Sequence, residues 1–152
     1  MTKALGSPAA HLRLLGPLAR GDFERELGRL PVTDPSSFDA FPAPVWEGEV
    51  VLCGALCAVD DLDGAVASLR GAERVVFLEH VGRHGLAGRA QAAAGAVLSR
   101  LPGGCRTDHD VPAALRRGGF VVTDLERLTM PTPFLAYRPW VRGVATPRRS
   151  AA

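Results

Sequence analysis

A chain of 152 residues and 16.0 kDa, 47% apolar and 22% charged, is one domain by size and can bury a core without disulfides or metals. That apolar share and a formal net charge of only +2 exclude a wholly disordered chain, and 18 basic against 16 acidic residues leave no nucleic-acid footprint. Lys3 is the only lysine, so the other basic residues are all arginine, and 17 glycines with 12 prolines predict a loop-rich outline.

In chain order, His11 to Leu15, closed by Gly16-Pro17, reads as a short strand and turn. From Ala19 to Leu30 the apolar positions Phe23, Leu27 and Leu30 fall at helical spacing, with Asp22 near the N-terminus and Pro31 as the stop. Residues 35–49 hold three prolines and read as an irregular connection, with a brief strand near Val32 before it. Glu49 to Cys53 is a continuous apolar run, the pattern of a parallel strand buried on both faces. Asp60-Asp61 opens a helix through Leu62, Val66 and Leu69 that Gly71 ends. Arg74 to Leu78 is a second buried strand, and Leu86 to Leu101 a long alanine-rich helix. Asp110 to Arg117 is a short helix with Pro112 in its first turn, where a missing N–H costs nothing. Strands at Phe120 to Arg127 and Trp140 to Ala145 follow, separated by the Pro-rich loop 130–139. Alternating strands and helices predict a mostly parallel α/β sheet whose last strand reverses. The tail 147–152 is expected to be flexible.

Three cysteines without a C-x-x-C pair point to a reducing compartment, with Cys53 and Cys57 acting as small buried hydrophobes. The longest uncharged apolar run, Val50 to Val59, has ten residues, half of the roughly twenty that a membrane-spanning helix needs. Pro8, Gly16 and Pro17 interrupt any signal-like segment, so a cytoplasmic protein with no membrane span is expected.

Two polar groupings could carry chemistry. Glu79 and His80 end a strand, the place where α/β sheets hold ligands, and a histidine there can serve as a general base near neutral pH. The structural alternative has Glu79 capping a neighbouring loop and His80 satisfied in the core. His84 adds no convincing metal set, and no metal is expected. Cys105, with Asp108, His109 and Asp110, is the second grouping, either a thiol with a base beside it or loop structure. Phe41, Trp46, Tyr137 and Trp140 are the aromatics to line a pocket. Arg138 and Arg142 either greet an anionic substrate or are solvated.

The blocks VLCGALCAVDDLDGAVASL, VVFLEHV, GGC with a short helix ending GGF, and PWVRGVA occur in an order that resembles the C-terminal half of a class I S-adenosylmethionine-dependent methyltransferase. The likeness is to the type-11 group, which includes ubiquinone/menaquinone-biosynthesis and thiol methyltransferase-like proteins. It implies a reduced Rossmann-like sheet of five or six strands with helices on both faces, in a single truncated domain over 1–146. It makes Val50–Cys53 the fourth strand, FLEHV the fifth and PWVRGVA the last. The cofactor would be S-adenosylmethionine (SAM), with Asp39 and Ala40 on its adenine and Gly54, Ala55 and Leu56 walling its methionine part. Glu79 and His80 would be catalytic, and Cys105 and His109 would meet a small-molecule substrate; the family usually has an arginine where His109 stands. The family's turn after its first strand, acid-x-G-x-G-x-G, has no counterpart here, and by this resemblance the chain begins at about the second strand. Loss of a first strand near the sheet centre would expose edges, so either a rearranged strand order or a covering homodimer or partner chain is expected. Two functions follow: an atypical SAM-dependent small-molecule methyltransferase, or a SAM-independent accessory enzyme or non-catalytic partner on the same fold.

Overall fold

The computed structural model describes residues 2–41, 47–82, 86, 88–91, 93, 106, 109–132 and 135–149. Their strands are β1 (Thr2–Gly6), β2 (Gly48–Cys53), β3 (Ala72–His80), β4 (Phe120–Thr129) and β5 (Pro139–Pro147), joined in one sheet of order β1-β2-β3-β5-β4. β1, β2 and β3 run parallel, and β5 enters antiparallel to both β3 and β4. The helices are α1 (Pro8–Leu15), α2 (Pro17–Leu27), α3 (Leu62–Ala67) and α4 (Val111–Arg117).

Alternation along the strands sorts the core onto two faces. Leu5, Val50, Leu52, Val75, Phe77, Val141 and Ala145 face α3 and α4. Ala4, Val51, Cys53, Val76, Leu78 and Trp140 face α1 and α2, whose Leu15, Ala19, Phe23 and Leu27 pack onto them. β2 and β3 are buried on both sides, which is why both read as unbroken apolar runs.

Three expectations for the N-terminal part are overturned. His11–Leu15 is helical because Pro8, which lacks an N–H to leave unsatisfied, starts α1 directly after β1 and places Leu12 and Leu15 on one side. The first strand, expected to be missing, is Thr2–Gly6 beside β2, so the sheet has no gap. Around Val32 no strand forms. Of the long helix expected at Leu86 to Leu101, residues 86, 88–91 and 93 are helical and the rest lie outside the described residues.

The link from β1 to β2 sets up the site. After α1 and α2 the chain passes the free edge of β1, where Gly6 N–H donates to Asp39 O and Asp39 N–H to Ala4 O, both at 2.9 Å. Phe38 still packs on the α1/α2 face, whereas Phe41 packs on the α3 face. The chain thus leaves β1 in one direction over one face and returns over the other to reach β2. That route keeps the connections right-handed and makes the β1/β2 boundary the topological switch point, where such sheets open a ligand crevice.

Candidate functional site

At the carboxyl ends of β1 and β2 the switch point is closed. Gly6, with φ +133°, lets β1 approach β2 so tightly that a Cβ there would lie 2.0 Å from Cys53 O. Ser7 N–H donates to Cys53 O at 3.1 Å, and Pro8 then begins α1. One turn later His11 turns its imidazole inward onto Gly54. The ring lies so close that a Cβ on Gly54 would sit 2.4 Å from His11 Cε1.

His11 is fully buried and held on every side. Its Nδ1 lies 2.8 Å from Ser7 O, and a carbonyl can only accept, so Nδ1 carries the proton. In the neutral ring Nε2 is then the acceptor, and the Cys57 thiol stands 3.5 Å from it. Trp140 packs edge-on with ring centroids 5.4 Å apart.

Beneath this layer Glu79 performs the capping task. Its Oε1 accepts from Ala55 and Leu56 N–H at 2.9 and 3.1 Å, and its Oε2 from Cys57 N–H at 3.1 Å. These donors belong to the loop into the 3-10 turn Leu56–Ala58, whose N-cap Ala55 offers no side-chain cap of its own. Burial pushes the Glu79 carboxyl above its ordinary value, against the opposing pull of the three N–H groups it accepts from. Burial and the Glu79 charge together push the Cys53 thiol far up, which keeps it protonated and unreactive.

His80 is equally buried. Its Nε2–H donates to Ala136 O at 2.5 Å, its Nδ1 has no partner among the described residues, and its ring packs against Tyr137 and Trp140. Gln91 also donates to Ala136 O and to Val81 O. His109 ties the two loops together, its Nδ1–H on Leu56 O and its carbonyl accepting from Gly82 N–H. Cys105, Asp108, His84 and Trp46 lie outside the described residues.

The residues assigned to SAM therefore separate. Gly54, Ala55 and Leu56 are buried beneath His11 and Glu79 and form no open wall. Asp39 and Ala40 are exposed beside β1, and the Asp39 carboxylate is paired with Lys3. These residues do not fit SAM held along the switch point. An open recess of about 460 Å³ lies instead on the α3 face, lined by Phe41, Ala58, Val59, Asp60, Asp61 and Ser68 among others. Two of its carboxylates are engaged: Asp60 with Arg106, and Asp61 as the cap on Gly64 N–H. Among the described residues no group of three or more His, Cys, Asp or Glu could hold a metal, and no helix is long and apolar enough to cross a membrane.

Arg142 is half-buried and already ion-paired. Its side chain is only 25% exposed, paired with Glu26 at 3.0 Å and with Glu126. Arg138 donates to Thr132 O. Trp140 and Tyr137 are core, and of the expected aromatics Phe41 and Trp140 each border a recess. Sequence reasoning missed His11; its one trace is a glycine at position 54, immediately after a buried strand.

No protein-family model and no curated protein matches the chain. Solved structures do. The YcgJ protein from Bacillus subtilis aligns over 99% of this chain and 92% of its own, at 12% identity and TM-score 0.54. The [4+2]-cyclase SpnF aligns over 98% and 75%, at 14% identity and TM-score 0.50. Magnesium protoporphyrin IX methyltransferase from Synechocystis, solved with bound SAH, aligns over 87% and 59%, at 14% identity and TM-score 0.45. At this identity the likeness shows the fold alone: the reduced Rossmann-like α/β sheet expected from the sequence, shared with YcgJ and SpnF.

Proposed function

We propose that this chain is a methyltransferase-fold protein that works without SAM, as a non-catalytic binding partner. The observation that carries this reading is the His11 ring seated on Gly54, which fills the switch-point crevice from within the chain. A methyl transfer depends on holding the donor in line with its acceptor, and a filled crevice removes that hold. Glu79 and His80 support the same reading: the first spends both oxygens on loop N–H groups, and the second lies beneath Tyr137 and Trp140. Buried thiols outside any disulfide, at Cys53 and Cys57, suit a reducing, cytoplasmic setting. A homodimer or a completing partner chain belongs to this reading, and light scattering at micromolar concentration tests it.

Calorimetric titration of the chain with SAM and its demethylated product tests the proposal. No heat is expected up to millimolar ligand; saturable binding at micromolar concentration overturns it. The alternative, an atypical SAM-dependent enzyme acting on a small molecule near Cys105 and His109, is favoured by one feature. The recess beside Phe41 adjoins both the Asp39-Ala40 segment and the loop after β2. If the titration is positive, Phe41→Ala abolishing the heat would locate SAM there.

A further inference from the structure

We propose that the β1/β2 crevice is a binding site for a small azole ring, filled at rest by the chain's own His11. The proposal rests on the closed crevice of the reading above and adds the chemistry of what fits it. His11 sits as a ligand would. One face lies on the bare Cα of Gly54, its N–H meets the Ser7 carbonyl, its second nitrogen meets the Cys57 thiol, and Trp140 closes the edge. These contacts define a flat five-membered ring with a donor and an acceptor on different sides. A carbocycle or thiophene of the same outline would forgo this hydrogen bond and leave the half-buried Ser7 carbonyl with the His11 backbone N–H alone.

The ring is presented by a short element that ends at a glycine. α1 is eight residues long, and Gly16 at its end has φ +78° with nothing within 4 Å of where a Cβ would stand. Apart from Ser7, whose N–H ties it to Cys53 O, the walls of the crevice belong to β2, its loop and β5, which Glu79 and the sheet hold in place. Displacing His11 therefore leaves a recess already shaped for its replacement, and an azole-bearing small molecule is the class that would compete with it.

The test is His11→Ala titrated with imidazole. Imidazole at about ten times its dissociation constant should raise the variant's thermal midpoint by roughly 3–6 °C while leaving the unaltered protein unmoved. Thiophene should shift neither. In His11→Phe the ring fills the recess, so imidazole should again do nothing. If His11→Ala does not fold alone, refolding into imidazole is the same test, and recovery of folded protein only with imidazole counts as binding. Failure of imidazole to shift or recover either His11→Ala or His11→Gly overturns the proposal, as does an equal response to thiophene. The outcome is independent of the SAM titration, which is made on the unaltered chain.

Discussion

Replacing Glu79 by alanine removes the acceptor of three buried N–H groups at once, those of Ala55, Leu56 and Cys57. Each buried donor left without a partner costs about 1–3 kcal/mol. The loss is partly offset, because a carboxylate no longer has to be held in a dry interior. The expected destabilisation is about 3–5 kcal/mol, a large share of the roughly 5–15 kcal/mol that holds a domain folded. Urea denaturation with linear extrapolation reads it, and an unchanged slope would confirm that the unfolded state is the same. Glu79→Gln keeps one acceptor oxygen for Ala55 and Leu56 but turns an amide NH₂ toward Cys57 N–H, so about 1–3 kcal/mol should go. The pH dependence separates charge from hydrogen bonding. Glu79 in the folded protein titrates above its ordinary 4.5, so the folded state keeps a proton that the unfolded chain has already released. Its contribution is therefore fully present below pH 4.5 and is lost as pH rises through the folded value. The stability difference between the native protein and Glu79→Gln should shift against the native protein as pH rises above 4.5, then level off. A Glu79→Ala variant within about 0.5 kcal/mol of the native protein would refute the capping role.

Other substitutions probe the same interior. Gly54→Ala forces φ +60° on a residue with a Cβ, costing about 1–2 kcal/mol, and drives that Cβ to 2.4 Å from His11. It should expel the ring from under Trp140, seen as a loss of ring-current shift on the His11 proton resonances. On the opposite face, a Cβ at Gly143 would meet Phe77 Cζ at 2.7 Å, so Gly143→Ala should cost about 1–3 kcal/mol by chemical denaturation. Asp61→Ala loses the cap on Gly64 N–H and should cost about 1 kcal/mol, unless water replaces the acceptor.

The strands that could be read from the sequence are those whose burial is complete. β2 and β3 carry unbroken apolar runs because neighbours cover both faces, and the short helix after Asp110 announces itself by its cap and Pro112. β1 could not be read this way. Thr2–Gly6 offers only Ala4 and Leu5 as apolar residues, and its extended form comes from register with Glu49–Cys53, a partner more than forty residues away. The stretch His11–Leu15 misled for the opposite reason. Its run of apolar residues suits a strand or a helix, and Pro8 decides for the helix. Of the candidate site, the capping of a loop by Glu79 was one of the two readings open from sequence. The His11–Gly54 contact was not, because no local pattern reports which ring comes to rest on a distant glycine.

The short turn after β1 and the filled crevice have one physical origin. A turn with several glycines keeps its backbone low and open, so a ligand can lie along it before the helix begins. Here Pro8 takes the first helical position one residue after Gly6-Ser7, and its fixed φ starts the helix immediately. Ser7 O then accepts twice, from the His11 backbone N–H at 3.1 Å and from the His11 ring at 2.8 Å. The turn that excludes a ligand thus also aims the side chain that replaces it. Glycines put back at positions 8 and 10 would loosen the start of α1 but leave the imidazole the best-fitting group at hand, so Pro8→Gly/Ala10→Gly should still show no heat with SAM. Saturable SAM binding by that double variant, with His11 intact, would mean that backbone stiffness rather than the seated ring keeps the crevice closed.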